Sequence, residues 1–321
     1  VCDLEGDGSA EILIGDITDS LKPKLVLLNS NGTEKRSWTL GGNPFEWTVG
    51  DFNGDSILDI FVSFYAGGPH VAKSYVLDGK TGNLLWEKPY GPHSGYVAVF
   101  DANGDGKDDI IMREHFQLHI LDGSEGKDLV EVSELCGYHT PIVAEVDGDG
   151  YMEIIWGAGW GSLTVDKITY EVTGGIKIKE KWRRIFGGGD TTEIYGRMPG
   201  VADLDNDGVL EIVVNSMNTG YLYCYDGSTG DLKWEYNLGT VTSDIIAADV
   251  DNDGKPELIF GAIDGKLYAI NGEKSPIRRV EWALDFGYTV GSPIVADISG
   301  DGKAEILVPV ADGFLYVLSG S

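Results

Sequence analysis

A nine-residue acidic pattern, D-x-[DNS]-x-D-G-x-x-[ED], returns seven times along the 321 residues, starting at Asp3, Asp51, Asp101, Glu145, Asp203, Asp249 and Asp297. Successive starts lie 48, 50, 44, 58, 46 and 48 residues apart, a period that accommodates one four-stranded sheet per copy. The text between loops is consistent. After the sixth loop comes an apolar strand (Glu257 to Ala262), a tight hairpin at Asp264-Gly265 and a second strand (Lys266 to Ile270). A turn and a Trp-containing strand follow, and a short run such as Pro293 to Asp297 leads into the next loop. No helical periodicity of useful length interrupts this order. Each unit reads as strand A, acidic loop, strand B, hairpin, strand C, turn, strand D. The expected fold is therefore all-β, a single seven-bladed β-propeller of four-stranded antiparallel blades spanning residues 1–321. Its blades begin near residues 1, 47, 96, 140, 198, 244 and 292.

The loops have the make-up of cation sites. In the fifth, Asp203, Asp205, Asp207 and Glu211 place oxygens at alternate positions, the Val209 carbonyl adds another, and Gly208 permits the turn. Calcium takes six to eight such oxygens at roughly 2.3–2.6 Å and tolerates irregular geometry. The matching sets are Asp3, Glu5, Asp7, Ser9, Glu11 in the first loop and Asp51, Asn53, Asp55, Ile57, Asp59 in the second. The third has Asp101, Asn103, Asp105, Lys107, Asp109, and the fourth Glu145, Asp147, Asp149, Tyr151, Glu153. The sixth has Asp249, Asp251, Asp253, Lys255, Glu257, and the seventh Asp297, Ser299, Asp301, Lys303, Glu305. In every set the seventh-position residue serves through its backbone carbonyl. An EF-hand closes at position 12 and runs into a helix. Here the closing acid is ninth, and Ile212, Val213 and Val214 enter a strand at once. Up to seven calcium ions are expected, held more tightly by the four-carboxylate loops and least by the second, which has Ser56 where the others have glycine. Single Asp/Gly-rich turns are common in β proteins; seven in register are not.

The charge has the same origin. The chain carries a net charge of −28, and the loops hold 25 of its 52 acidic residues. Bound divalent ions should therefore relieve self-repulsion and stabilise the fold by linkage. There is no basic patch for nucleic acid and no apolar run long enough to enter a membrane.

These units resemble FG-GAP/VCBS repeats, the calcium-loop blades of integrin α-subunit heads and many secreted microbial proteins. The acidic loops match that pattern closely, and Ile155-Trp-Gly-Ala158 and Ile259-Phe-Gly-Ala262 match its naming motif loosely. The resemblance implies a seven-bladed calcium-binding propeller without implying one function. The turns Leu77-Asp-Gly-Lys-Thr-Gly-Asn-Leu-Leu-Trp86 and Tyr225-Asp-Gly-Ser-Thr-Gly-Asp-Leu-Lys-Trp234 resemble those of quinoprotein-type propellers, and are expected to pin blades together. Only Val1 and Cys2 precede the first loop, and the last blade ends after strand C, so one strand D and one strand A are expected from elsewhere in a longer chain or assembly.

Calcium loops of this type stay filled where free calcium is millimolar, which places the expected compartment outside the cell, at its surface or in the periplasm. Cys2, Cys136 and Cys224 are an odd number without a disulfide framework, so buried thiols are expected.

Blade topology puts acidic loops and C–D turns at one end of each sheet, and B–C hairpins and D–A crossings at the other. The second set is elaborated. It carries Phe45, Glu46 and Trp47, Tyr65 and His70, His93, Arg113 and His115, Tyr138 and His139, Trp160, and Tyr195 with Arg197. Individually such residues usually pack between blades; together they form a candidate binding face. Trp47, Tyr65, His70, His115 and Trp160 suit ligand binding, since rings stack on sugar faces while cations hold carboxylates. His119, inside strand C, reads as structural. Two functions follow. The first is an extracellular recognition module for a glycan or protein. The alternative is a polysaccharide lyase acting by β-elimination on uronic-acid polymers. There Arg113 or Arg197 would neutralise the uronate, His93 or His139 abstract its α-proton, and Tyr138 or Tyr195 protonate the leaving oxygen.

Overall fold

A computed structural model describes residues 3–6, 9, 11–18, 22–29, 31–65, 72–89, 97–114, 117–133, 141–158, 162–171, 175–185, 198–216, 220–272, 280–296 and 303–319. They form seven antiparallel sheets, each wound from consecutive strands. The first contains β1 (Ile12–Asp16), β2 (Lys24–Leu28) and β3 (Glu34–Trp38). The second contains β4 (Asn43–Gly50), β5 (Asp59–Tyr65), β6 (Ala72–Leu77) and β7 (Leu84–Lys88). β8 (Val97–Phe100), β9 (Asp109–Glu114), β10 (Gln117–Leu121) and β11 (Asp128–Ser133) make the third. The fourth has β12 (Ile142–Ala144), β13 (Glu153–Ala158), β14 (Ser162–Tyr170) and β15 (Ile176–Ile185). The fifth has β16 (Gly200–Ala202), β17 (Glu211–Asn215), β18 (Tyr221–Asp226) and β19 (Leu232–Asn237). The sixth has β20 (Ile246–Ala248), β21 (Glu257–Gly261), β22 (Lys266–Asn271) and β23 (Val280–Asp285). The last has β24 (Ile294–Ala296), β25 (Glu305–Pro309) and β26 (Leu315–Ser319). This succession is that of a seven-bladed β-propeller, with three strands in the first and last sheets and four in the rest.

The chain divides into two compact units, residues 1–136 with 168–179, and residues 137–167 with 180–321. Within each, the core lies between neighbouring sheets. In the first unit, Leu25, Leu27, Ile60, Val62 and Tyr75 fill one layer, and Phe61, Trp86, Ile110 and Met112 the next. In the second, Val165, Trp182 and Ile212 form one layer, and Cys224, Trp234, Leu258 and Phe260 another. A strand covered on both faces needs a continuous apolar run. Accordingly β17 and β21 are buried at all five positions, whereas the outer strand β19 buries only Trp234. The Cys224 thiol is buried in that layer; Cys2 and Cys136 lie outside the described residues.

The outer strands grip the neighbouring C–D turns. Trp86 Nε1 donates to Gly123 O (2.6 Å), Trp182 Nε1 to Gly227 O (2.7 Å) and Trp234 Nε1 to Gly272 O (3.0 Å). Two residues further along, Lys88 and Arg184 donate to Gly126 O and Gly230 O. The first sheet shifts this text: Arg36 reaches Gly79 O and Trp38 reaches Gly82 O. The expected pinning role of these turns is therefore met. Gly123 is required by proximity, because a Cβ there would stand 1.9 Å from Asp108 O of the acidic loop.

Three placements differ from the expectation, the first being Tyr65, which ends β5 and pairs with Ala72 instead of lying in the hairpin between them. Phe45, Glu46 and Trp47 are not in a crossing but in β4, which starts at Asn43 because β5 is long enough to pair with it through a bulge. Arg113 belongs to β9, since Arg113 pairs with Leu118 and Glu114 with Gln117, leaving only residues 115–116 to connect the strands.

Candidate metal centres

From the second acidic loop to the sixth, the first side chain shapes the loop. In the second loop Asp51 Oδ1 accepts from Gly54 N (2.7 Å) and Asp55 N (3.1 Å), while Oδ2 accepts from Ser56 N (2.8 Å). Asp101 repeats the scheme with Gly104, Asp105 and Gly106. Asp203 and Asp249 accept from Gly208 N and Gly254 N. This curl needs left-handed backbone twice. The sixth position adopts φ of 85° at Gly106 and 86° at Gly208, as expected from the pattern. The fourth position does so too, through Gly54, Gly104 and Gly148, and through Asn206 (φ 58°) and Asn252 (φ 61°). That second requirement was in the sequence as an unbroken series of Gly or Asn, the residues that tolerate this region.

The ninth-position acid is the pivot between loop and sheet. Glu11, Asp59, Asp109, Glu153, Glu211 and Glu257 are buried. Each of the longer acids accepts from the second loop residue, as Glu211 does from Leu204 N (2.7 Å) and Glu257 from Val250 N (3.1 Å). The shorter Asp59 and Asp109 also accept from Gly79 N and Gly123 N of their own blades' C–D turns, which fixes those turns at the same end of the sheet as the loop. Burial pushes Asp59 and Asp109 up to about 6, against the pull of these amide hydrogen bonds. Burial, with the charges of Glu281, Asp251 and Asp253, pushes Glu257 up to about 7.

Carboxylate oxygens converge in three loops, from Glu145, Asp147 and Glu153, from Asp203, Asp205 and Glu211, and from Asp249, Asp251 and Glu257, each trio within 4.8 Å. Glu257 Oε1 is buried and has no hydrogen-bond partner. An all-oxygen donor set, a left-handed curl and, at Glu257, a desolvated carboxylate oxygen fit a hard divalent cation. Of the seventh loop only Lys303 and Glu305 of the ligand set are described, and Asp7 of the first loop is not.

Lysines also enter these loops, which acid counting missed. Lys35 Nζ lies 2.9 Å from Glu5 and 2.8 Å from Glu11. Lys233 Nζ lies 2.9 Å from Asp205, 3.4 Å from Asp207 and 2.6 Å from Glu211. In the fourth loop Lys181 pairs with Asp147 and stands 3.7 Å from Glu153, and Lys167 pairs with Asp149. Burial of Lys233 works against its charge, but hydrogen bonds to Glu211 and Asp205 outweigh it and hold its pKa above the ordinary value. Three of the four four-carboxylate loops therefore contain an internal cation. A lysine next to the Trp of strand D was the available signal, as in Lys233-Trp234 and Lys181-Trp182.

Of the residues expected on the opposite ends of the sheets, His70, His93, His115, Tyr138, His139, Trp160, Tyr195 and Arg197 lie outside the described residues. Tyr65 and Arg113 are placed as positions in β5 and β9. Trp47 is half-buried and packs into the layer between the first two sheets. His119 is structural as expected, buried with Nδ1 2.8 Å from Asp128 Oδ1.

Residues 203–260 match the FG-GAP-like repeat family. Among curated proteins, the rhamnogalacturonan exolyase YesX of Bacillus subtilis (strain 168) is 27% identical over 304 residues. That alignment takes in 85% of this chain and 44% of YesX, so the chain spans less than half the length of that relative. Solved structures share the fold. BamB from Moraxella catarrhalis aligns with a TM-score of 0.62 at 16% identity, covering 98% of this chain and 80% of BamB. BBS1N, solved in complex with ARL6DN, aligns with a TM-score of 0.63 at 14% identity, covering 100% of this chain and 90% of its own.

Proposed function

That this chain is a β-propeller built on FG-GAP-like repeats is the premise from which we propose its role: it binds uronate-containing polysaccharide of the rhamnogalacturonan type and cleaves it by β-elimination, on a scaffold held by calcium in the acidic loops. The observation that carries the glycan assignment is the alignment of 85% of the chain with a rhamnogalacturonan exolyase. The calcium assignment is supported by the converging carboxylates of the sixth loop and by the buried Glu257 Oε1 without a hydrogen-bond partner there.

The chemistry sets what the chain must supply. The proton beside a uronate carboxylate is too weakly acidic to leave unaided, so a cationic side chain has to withdraw charge from that carboxylate. A base then takes the proton, and an acid protonates the departing glycosidic oxygen as the double bond forms. Arg113 or Arg197 would serve as the cation, His93 or His139 as the base, and Tyr138 or Tyr195 as the acid. The loop carboxylates take no part in these steps. Bound calcium would hold a loop to its strand, with Asp249, Asp251, Asp253, Glu257 and the Lys255 carbonyl as the sixth site's ligands.

The test is absorbance near 235 nm, where the unsaturated product absorbs, on incubation with rhamnogalacturonan and polygalacturonate. A steady rise that His139→Ala abolishes while polysaccharide binding persists is the expected result. Binding without any rise would assign the chain to glycan recognition alone, and neither binding nor a rise would remove the glycan reading.

A further inference from the structure

The acidic pattern is nearly uniform from blade to blade, but the residue facing it from strand D is not. In five blades the register between strands C and D slips by one residue at the same place. The slipped residue is Lys35 in β3, Leu85 in β7, Leu129 in β11, Lys233 in β19 and Glu281 in β23. Lys181 holds the matching place in β15, directly before Trp182. We propose that this one bulge position decides which loops take calcium: lysine closes the first, fourth and fifth loops, and Glu281 completes the sixth. The proposal rests on the calcium reading above and adds selectivity among the loops.

A bulge turns its extra side chain out of the alternation and bends the strand, so it can re-aim that side chain. In the first and fifth blades the ammonium stands within 3 Å of two acids of the pattern, Glu5 and Glu11 or Asp205 and Glu211. These are the oxygens a calcium ion would need. A second cation among them must either expel the lysine or accept its repulsion at a separation of a few ångströms, where opposite preferences are strong in a partly buried site. The fourth loop has two such lysines, Lys181 on Asp147 and Lys167 on Asp149.

The sixth loop is built the other way. Glu281 is exposed beside it: its charge bears on Glu257, it borders the same cavity as Asp251, and its Oε1 accepts from Asn271 Nδ2 at 3.1 Å. The buried Glu257 Oε1 has no hydrogen-bond partner, nor has Glu153 Oε1 of the fourth loop, but the latter has the Lys181 ammonium 3.7 Å away. A cavity of about 530 Å³ opens beside the loop, bounded in part by Asp251, Glu281 and Trp282, and gives an ion a path in. Leu85 and Leu129 add no charge, so the second and third loops fall between these extremes on three carboxylates each. The expected order of affinity is thus the sixth loop first, the second and third next, and the lysine-filled loops last. Carboxylate number alone gives a different order.

Calorimetric titration of the chelator-stripped chain with calcium chloride, on the parent and two variants, tests this. Lys233→Met keeps the length of the side chain and removes the charge; it should add one bound ion. Glu281→Lys should remove one ion from the tightest class, or weaken that class by roughly tenfold or more. Circular dichroism in calcium and in chelator reports folding: Lys233→Met should melt lower than the parent in chelator and regain the difference in calcium. If Lys233→Met does not fold without calcium, Glu281→Lys alone decides. A parent that binds calcium while both variants keep its stoichiometry and affinities would overturn the proposal and leave calcium binding intact. A parent that binds no calcium would end the calcium reading itself, and this proposal with it.

Discussion

At its sixth position the second acidic loop differs from the others by one hydroxymethyl group. Its sixth position is Ser56, held at φ 66°, where Gly106, Gly150, Gly208 and Gly254 adopt φ between 83° and 87°. Left-handed backbone costs an L-residue with a Cβ about 1–2 kcal/mol, part of which a glycine returns through its freer unfolded chain. The amide of Ser56 still reaches Asp51 Oδ2 at 2.8 Å, so replacing the side chain leaves the loop's hydrogen bonds in place. Ser56→Gly should therefore stabilise the protein by about 0.5–1 kcal/mol, read from the midpoint of urea unfolding at unchanged slope. A lower midpoint would mean that the hydroxyl does more for the loop than its backbone costs. Asn206 and Asn252 are the reverse case: they occupy the fourth, left-handed position, and the sequence marked them only as members of a Gly/Asn series. The nine-residue text made the ligands legible because each ligand is its own side chain or carbonyl. It could not show Lys35, Lys181 or Lys233, since these arrive from another strand, 22 to 34 residues away from the acids they meet.

At the scale of strands and turns, the legible part was the turn text that ends in tryptophan. The indoles of Trp86, Trp182 and Trp234 satisfy carbonyls of neighbouring turns, and a second side chain, Lys88 or Arg184, anchors the far end of two of those turns. Trp182→Phe keeps most of the ring's packing but leaves Gly227 O without that donor, and should cost about 1–3 kcal/mol. Denaturant unfolding followed by far-ultraviolet circular dichroism measures it; a loss below about 0.5 kcal/mol would mean that the turn is held by packing alone. Gly123→Ala should cost more, about 3 kcal/mol, because the neighbouring Asp108 carbonyl cannot retreat without opening the acidic loop. The strand boundaries that escaped the sequence share one cause. β4 lengthened to match β5, and β9 extended to meet β10, because pairing continues for as long as a partner strand offers unpaired amides. Such matching depends on two segments at once. No single run of residues records it, and so Trp47 reads as a surface aromatic in the sequence while packing among Leu25, Val62 and Tyr75 in the fold.

For the molecule as a whole the dominant quantity is charge. A chain at −28 with 25 carboxylates gathered into seven short loops stores repulsion where its strands begin. Lysine answers part of it in three blades, at Glu11, Glu153 and Glu211. The sixth blade adds Glu281 instead and gains no such relief from that position. Two ways of stabilising the metal-free chain can then be separated. Added sodium chloride screens all exposed charges alike, over a Debye length near 8 Å at physiological strength. Calcium acts only where oxygens converge, and each filled site contributes about 2.7 kcal/mol when free calcium is a hundred times its dissociation constant. Stripping the protein with chelator should lower its melting temperature, and millimolar calcium should restore it well beyond the effect of sodium chloride at matched ionic strength. Magnesium at the same concentration should recover less, because it resists giving up its water for an irregular shell of carboxylates. Equal recovery with all three salts would show that only general screening is at work, and that the converging loops hold their shape through lysines and backbone amides without a bound ion.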